Sequence, residues 1–199
     1  MSDEDKLRWD RRYSSGEYGG RAHPSALLAD WAPRVLASLD VGRPRALDLA
    51  CGTGRNARYL AGLGFEVDAV DISEAGLARA AAAADKAGVE VNWMQRDLDR
   101  GLPGDLGRYH LVVLMRYVND ALLRSLPERL LPGGWLICEE HLQSDAQVIG
   151  PSNPAFRVAP GALTAAVPDL EPVLATEGVV TDPDGRPAAL ARLVARRPG

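Results

Sequence analysis

The chain has 199 residues, of which 46% are hydrophobic and 25% charged, and its formal net charge is −4. This composition is typical of a water-soluble globular protein. No apolar segment approaches the roughly 20 residues that a membrane span requires, and the acidic balance provides no electrostatic footprint for nucleic acid.

The two cysteines, Cys51 and Cys138, are far apart in the sequence and are too few for a zinc site. We therefore interpret both as small buried side chains and predict no metal site. Residues 1–6 are acidic and lack the apolar core of a secretory signal, so we expect a cytoplasmic protein.

The first half of the chain alternates helix and strand signals. Apolar residues at helical spacing indicate a helix between Pro24 and Leu39. A hydrophobic strand over Ala46–Ala50 then runs into a turn with two glycines. A helix over Arg55–Leu63 and a second strand over Phe65–Val70 follow. This order is typical of the nucleotide-binding half of a doubly wound sheet.

The alternation continues through the middle of the chain. Ser73 is a suitable N-cap for a helix over Ala75–Ala87, which Gly88 ends. A third strand is predicted over Glu90–Gln95. The nearly continuous apolar run of Tyr109–Met115 indicates a fourth strand that is covered on both faces.

The last third of the chain predicts a strand, a loop and a hairpin. In chain order, the predicted elements are a helix over 121–131, a turn at Pro132-Gly133-Gly134, a strand over Trp135–Glu140, an insertion or lid loop over 144–161, a short helix over Leu163–Val167 and hairpin strands over Pro172–Thr181 and Pro187–Arg196. Together the elements predict an α/β fold. Its sheet is doubly wound, seven-stranded and mostly parallel, with a C-terminal antiparallel hairpin and helices on both faces.

Three acidic residues follow or end strands at the edge where a ligand would lie. Asp71 directly follows the second strand and is well placed to accept hydrogen bonds from both hydroxyls of a ribose. Asp48 precedes the glycine turn, where a carboxylate suits a cationic amino group and opposes a pyrophosphate. Asp97 follows the third strand, where it can accept from the amine of an adenine. Residues 52–57 also match G-x-G-x-x-A, a weak signal alone.

These motifs resemble the class I S-adenosylmethionine-dependent methyltransferase family. The motifs that carry the resemblance are Asp-Leu-Ala-Cys-Gly-Thr-Gly at 48–54, Val-Asp-Ile-Ser at 70–73, Arg-Asp-Leu at 96–98 and Leu-Leu-Pro-Gly-Gly-Trp at 130–135. Residues 46–56, preceded by Trp-Asp-Arg-Arg-Tyr at 9–13, are similar to the small tellurite-resistance/thiopurine-type group. The resemblance implies a Rossmann-like methyltransferase fold in one domain over 1–199, with a helical or lid segment at 1–40, a cofactor-binding core at 41–141 and an acceptor-side loop and hairpin at 142–199.

The resemblance also implies a cofactor, S-adenosyl-L-methionine, with S-adenosyl-L-homocysteine as the product. Asp48 would hold the methionine ammonium and Asp71 the ribose hydroxyls. The other implied cofactor contacts are the backbone of Ala50, Gly52 and Gly54 along the methionine, Ile72 and Leu98 on the two faces of the adenine, Asp97 at its amine, Met115 near the sulfonium, and Arg21, Arg55 or Asn56 at the methionine carboxylate.

Methyl transfer from a sulfonium is a direct displacement, so alignment and exclusion of water are the main contributions expected from the protein. A base is needed only for a hydroxyl or ammonium acceptor. We predict His141 and Tyr117 as catalytic candidates because both lie just after strands at the ligand-binding edge. The further candidates for the acceptor pocket are Trp9, Tyr13, His23, Arg116, Asn119 and Glu140.

We expect a small-molecule acceptor with a sulfur, oxygen or heavier chalcogen nucleophile, and neither a nucleic acid nor a membrane as partner. Residues 115–119 lack the Asn/Asp-Pro-Pro-Tyr/Phe motif of methyltransferases that act on amino groups of bases or glutamine. The sequence leaves open the acceptor, the use of a general base, the choice between monomer and homodimer, and the mobility of 144–161.

Several alternatives stay open. Asp48 could cap backbone amides of the turn, Asp97 could cap a loop, Met115 could be a core residue, and His141 could be structural. Trp9 and Tyr13 could either cover the cofactor or anchor the N-terminal segment. At the level of function, the alternatives are a non-catalytic domain that binds S-adenosylmethionine and an NAD-dependent oxidoreductase.

Overall fold

The computed structural model describes residues 3–16, 22–181 and 185–199. The helices are α1 (Asp3–Ser14), α2 (Ala26–Ala37), α3 (Arg55–Gly62), α4 (Glu74–Ala87), α5 (Asp120–Ser125) and α6 (Ala162–Ala166). The strands are β1 (Arg45–Leu49), β2 (Glu66–Asp71), β3 (Asn92–Gln95), β4 (Tyr109–Met115), β5 (Leu130–His141), β6 (Glu171–Thr181) and β7 (Pro187–Arg196).

The strands form one seven-stranded sheet in the order β3-β2-β1-β4-β5-β7-β6. The first five strands are parallel to one another, while β7 pairs antiparallel with both β5 and β6. This arrangement confirms the predicted doubly wound sheet with its C-terminal hairpin. The turn of that hairpin, residues 182–184, lies outside the described residues.

Apolar side chains cover both faces of the sheet. Val112 and Leu114 of β4 belong to a cluster that includes residues of α5 and α6. Leu111 and Val113 alternate with them and belong to a second cluster, with residues of α2, α3 and α4. A central parallel strand is buried on both sides, which explains the continuous apolar run in its sequence.

Local capping explains where several helices begin and end. Ser73 is the N-cap of α4 and accepts a hydrogen bond from the backbone N–H of Gly76, while Gly88 ends the helix with φ +66°. Ser25 caps α2 in the same way, accepting from the backbone N–H of Leu28. These boundaries confirm the predictions for both helices to within a few residues.

The prediction for residues 121–135 is wrong in detail. Helix α5 ends at Ser125 and continues as a 3-10 turn over Leu126–Arg129, because Pro127 has no N–H to extend an α-helical ladder. Strand β5 then begins at Leu130 rather than at Trp135. The Pro-Gly-Gly segment forms an irregularity inside the strand, where the register against β4 shifts.

Residues 142–161 contain one short 3-10 turn, Pro154–Phe156, and otherwise irregular backbone. Two isolated bridges hold the segment, Leu142 with Val158 and Ile149 with Ala188. In the described part of the chain, no helix has the length and hydropathy needed to cross a bilayer.

Candidate functional site

The carboxyl ends of β1 and β4 carry unusual backbone conformations. After β1 the chain turns through left-handed residues Ala50 (φ +53°), Gly52 (φ +57°) and Gly54 (φ +70°), and after β4 Arg116 has φ +62°. Such conformations cost free energy for any residue other than glycine and are concentrated at binding and catalytic sites. Two strained non-glycine residues at neighbouring strand ends therefore mark this edge of the sheet as the candidate site.

Asp48 is buried below the turn, with 1% of its surface exposed. The backbone N–H of Ala57, in the first turn of α3, lies near the carboxylate and acts to lower its pKa, while Oδ2 is buried and has no hydrogen-bond partner among the described residues. Burial raises the pKa of Asp48 to about 7. The described contacts show no turn amide that donates to Asp48, and its buried Oδ2 is available for a cation or donor.

Asp71 connects the ends of two strands. Its Oδ2 accepts from the backbone N–H of Gly52 at 2.8 Å and its Oδ1 accepts from the backbone N–H of Ser73 at 2.8 Å. Burial raises the pKa of Asp71, and the backbone hydrogen bonds oppose that shift. Each oxygen retains a second lone pair, so the side chain orders the glycine turn and can still accept from a ligand.

The two glycines of the turn serve different purposes. A Cβ at Gly54 would lie 2.4 Å from the Trp93 ring and 2.7 Å from the Cβ of Ala80, so this glycine allows α4, β3 and the turn to pack together. A Cβ at Gly52 would lie 2.6 Å from the hydroxyl oxygen of Tyr13. The structure therefore packs Gly54 against β3 and α4, and packs Gly52 beneath the Tyr13 side chain of α1.

Helix α1 docks on the start of α4 and covers the turn. Asp10 Oδ1 accepts from the Ser73 hydroxyl at 2.5 Å and from the backbone N–H of Ala75 at 3.2 Å. Arg79 donates to the Tyr13 carbonyl, and the Tyr13 ring, 9% exposed, stacks on Trp9 with centroids 5.7 Å apart. The N-terminal aromatic residues thus both anchor α1 and stand over the glycine turn.

A cleft of about 570 Å³ opens beside the ends of β2 and β3. Its lining includes Lys6 from α1, Ile72, Asp97 and Leu102. Leu98, predicted as an adenine contact, is instead 2% exposed and lies in the core cluster. Leu102 joins Ile72 as an apolar side chain at the cleft. The sequence signal for Leu102 was the glycine-rich stretch that follows the third strand.

Asp97 also orders the backbone beside this cleft. Its Oδ1 accepts from the backbone N–H of Asp99 at 3.0 Å, and Oδ2 lies 3.4 Å from Nε of Arg100, an exposed residue. The side chain therefore caps the 3-10 turn over Leu98–Arg100, as the alternative interpretation expected. Its presence in the cleft lining leaves a ligand contact possible in addition.

Three of the residues predicted near the methionine group, Asn56, Met115 and Arg55, form contacts within the protein. Asn56 is buried, and its side-chain oxygen accepts from the backbone N–H of Ser25 at 2.9 Å. The Ser25 hydroxyl donates to the sulfur of Met115 at 3.6 Å, and Arg55 donates to the carbonyl of His23. These contacts join α2, α3 and β4. Arg21 lies outside the described residues.

The two catalytic candidates are already engaged in hydrogen bonds. The Tyr117 hydroxyl donates to Asp99, which also accepts from Asn119, and burial together with Asp99 raises the pKa of Tyr117. His141 Nε2 lies 3.1 Å from Nη1 of Arg116. Since a guanidinium can only donate, this ring nitrogen is the acceptor, and taking up a proton there requires the contact to break.

Glu139 and Glu140 at the end of β5 have opposite surroundings. Glu139 accepts from Arg116 Nε at 3.0 Å and from Arg192 Nε at 2.9 Å. Glu140 accepts from the backbone N–H of Tyr117 at 3.0 Å, while its Oε2 is buried and lacks a hydrogen-bond partner in the described structure. Burial raises the pKa of Glu140 to about 8. The sequence named Glu140 only as a pocket candidate and missed the pairing of Glu139 with two arginines.

The structure thus brings Asp48, Ala50, Gly52, Asp71 and Met115 together at one edge, with Ile72 and Asp97 in the adjoining cleft. In residues 3–16, 22–181 and 185–199 no group of three or more His, Cys, Asp or Glu side chains could hold a metal ion. The arrangement offers buried carboxylates for a cationic and a hydroxyl-bearing ligand.

Comparison with known proteins agrees with this arrangement. Residues 46–134 match the family model described as a methyltransferase domain. The ubiquinone biosynthesis O-methyltransferase of Caulobacter sp. (strain K31) is 34% identical over 98 residues, which are 47% of this chain and 39% of that protein. The chain spans well under half the length of the curated relatives that it matches.

Two solved structures illustrate the likeness of the fold. TehB from Haemophilus influenzae has a TM-score of 0.73 at 23% identity, over 94% of this chain and 66% of that one. Magnesium protoporphyrin IX methyltransferase (ChlM) from Synechocystis PCC 6803 with bound SAM has a TM-score of 0.64 at 17% identity, over 85% and 77% of the two chains. At these identities the comparison establishes the fold.

We predict that Gly54→Ala destabilises the protein by about 2–4 kcal/mol. The added Cβ clashes with Trp93 and Ala80, and alanine is also strained at this left-handed φ. Gly88→Ala is the matched control: its φ is +66° and no atom lies within 4 Å of an added Cβ, so only the left-handed strain of about 1–2 kcal/mol should be lost. Urea unfolding measures both. Equal losses for the two variants would contradict the packing role of Gly54.

Proposed function

Residues 46–134 are a class I S-adenosylmethionine-dependent methyltransferase domain, and from this premise we propose that the protein transfers a methyl group from S-adenosylmethionine to a small-molecule acceptor. We also propose that residues 1–199 act as one domain, since α1 and the C-terminal hairpin both contact the core. A cytoplasmic location and the choice between monomer and homodimer stay predictions.

The observation that carries this proposal is the buried Oδ2 of Asp48. A buried carboxylate oxygen without a partner is unfavourable by about 1–3 kcal/mol or more, and native structures rarely retain one without a reason. The ammonium group of a methionine supplies the missing donor and a compensating charge. A pyrophosphate would instead bring negative charge next to a buried acid, which disfavours the dinucleotide alternative.

The other residues at this edge fit the rest of the cofactor by chemistry. We assign the ribose hydroxyls to Asp71, whose oxygens each keep a lone pair, and the adenine to the cleft that Ile72, Asp97 and Leu102 line. The positive sulfur of S-adenosylmethionine supplies an intrinsically activated methyl group when it is bound. Leu98 has no part in this assignment because it is buried in the core.

The protein's own contribution is alignment and exclusion of water. Orientation of two reactants is worth roughly 7–11 kcal/mol in the most favourable intramolecular cases. Tyr13 shields the glycine turn from solvent, and Ala50 and Arg116 hold strained conformations that shape the floor of the site. Tyr117 is a neutral phenol that donates its proton to Asp99, and Arg116 occupies the accepting nitrogen of His141. Since neither side chain is poised as a base, we favour an acceptor that is already a good nucleophile, such as a thiolate.

We predict that Asp48→Asn lowers affinity for S-adenosylmethionine at least tenfold, since it removes the charge that compensates the ammonium. Calorimetric titration with S-adenosylmethionine, S-adenosylhomocysteine and NAD checks this. Asp85→Asn, an exposed position on α4, is the control and should bind as the wild type does. Wild-type binding of NAD alone, or an unchanged affinity in Asp48→Asn, would contradict the proposed cofactor site.

Transfer itself is tested separately. Formation of S-adenosylhomocysteine that depends on an added thiol, phenol or chalcogen acceptor supports an enzyme. Tight cofactor binding with no product across a broad acceptor panel would favour the non-catalytic alternative, a domain that binds S-adenosylmethionine without using it.

The pH dependence of stability gives a second prediction for Asp48. Its pKa is about 7 in the folded protein and 3.8 in the unfolded chain, so the folded state holds the extra proton between about pH 4 and 7. Unfolding free energy of the unliganded wild type should therefore fall as pH rises through this window. Between pH 4 and pH 8 the wild type should lose roughly 3–4 kcal/mol more unfolding free energy than Asp48→Asn loses. Parallel pH profiles for the two proteins would contradict the raised pKa.

A further inference from the structure

We propose that the acceptor carries a planar oxyanion, such as a carboxylate, and that Arg192 and Arg116 recognise it; this substrate class rests on the proposed function. The two arginines share a single buried carboxylate, Glu139, through their Nε atoms at 2.9 and 3.0 Å. One carboxylate neutralises one guanidinium, so the cluster keeps a net positive charge.

The remaining donors of this cluster are available to a ligand. Nη2 of Arg116 and both terminal nitrogens of Arg192 have no hydrogen-bond partner among the described residues, and the two side chains are 18% and 22% exposed. A guanidinium presents its donors in a fixed plane that suits the two oxygens of a carboxylate. Because Glu139 holds both Nε atoms, the terminal nitrogens are oriented in advance.

A third cation increases the positive charge of this region. Arg157, from the irregular segment after β5, donates to the carbonyl oxygens of Pro151 and Leu142, which are neutral partners. A Cβ at Gly150 would lie 3.1 Å from Nη2 of Arg157 and 2.7 Å from Nδ1 of His141, so Arg157 and His141 flank the same glycine. Arg116 and Arg157 therefore lie on two sides of His141, and Glu139 is the carboxylate that the described contacts pair with Arg116 and Arg192.

The nearby acids of the described residues do not cancel this charge. Glu140 points to the opposite face of β5 from Glu139, toward the cluster that includes Cys138, and burial raises its pKa to about 8, which keeps it protonated at neutral pH. Glu177, on the neighbouring strand β6, accepts from the backbone N–H of Gly161 and is exposed.

The location of the charge relates it to the acceptor rather than to the cofactor. Arg116 directly follows Met115 at the end of β4, and His141 ends the adjacent strand β5. A sulfonium cofactor adds another positive charge to this edge of the sheet. An anionic acceptor between the arginines and the sulfonium would compensate the charge of both. A neutral or cationic acceptor would instead leave these like charges facing each other at low dielectric.

Matched acid and amide probes test the proposal. We would titrate wild-type protein with acetate and acetamide, benzoate and benzamide, and 3-phenylpropionate and its amide, with and without saturating S-adenosylhomocysteine. At least one acid should bind tenfold or more tightly than its amide. No preference for any acid would overturn the proposal.

Substitutions then locate the preference. Arg192→Gln should reduce the ratio of acid affinity to amide affinity to threefold or less. Its affinity for S-adenosylhomocysteine should stay within about twofold of the wild type, because Arg192 lies on β7 and the assigned cofactor residues lie in or after β1, β2 and β3. Arg196→Gln, on the same strand but over Trp135, is the control and should keep the full ratio. An unchanged ratio in Arg192→Gln would overturn the assignment. If Arg192→Gln does not fold, Arg192→Lys takes its place, because lysine keeps the charge without the planar guanidinium. The ratio of acid affinity to amide affinity should then fall at least threefold. An unchanged ratio in Arg192→Lys would equally overturn the assignment.

The same titrations distinguish this inference from the proposed function. A preference for acids that persists when S-adenosylhomocysteine does not bind would refute the cofactor assignment but leave the anion site standing. Binding of S-adenosylhomocysteine without any preference for acids would refute the anion site and leave the cofactor assignment standing.

Discussion

The carboxylate of Asp71 organises the functional edge of this protein. By accepting from Gly52 on one side and Ser73 on the other, it joins the glycine turn after β1 to the start of α4. Ser73 in turn donates to Asp10, and this contact docks α1 so that Tyr13 covers the turn. The positions of the N-terminal helix, the turn and the adjoining cleft therefore all depend on one buried acid and the backbone amides that it holds.

Buried carboxylates at strand ends are unfavourable for the unliganded protein and useful for a cationic ligand. Burial raises the pKa of Asp48 and Asp71, and Asp48 keeps one oxygen without a partner in the described structure. Stability lost in this way is recovered when a ligand supplies the missing donor. The left-handed backbone of Ala50 and Arg116 is also unfavourable by itself, and the surrounding sheet must compensate the free energy of this strain.

The acceptor side has the opposite charge. Glu139 orders Arg116 and Arg192 but leaves them a net positive charge, whereas the cofactor side around Asp48 and Asp71 carries buried acids. This separation of charge along one edge suits a cationic donor and an anionic acceptor, which attract each other as they are brought into line. His141 accepts a hydrogen bond from Arg116 and therefore lies beside this positive cluster.

The sequence by itself determined the order of strands and helices, the sheet class and the acids at strand ends, because periodicity, capping and turn residues act over a few neighbouring positions. It also predicted Asp48, Asp71, Ile72 and Asp97 close to one another, since parallel strands share a carboxyl edge. The tertiary structure alone decided that Gly54 packs on Trp93, that Leu102 rather than Leu98 lines the cleft, and that Arg192 meets Glu139. These contacts join residues far apart in the chain and depend on strand register and helix docking, which no local pattern encodes.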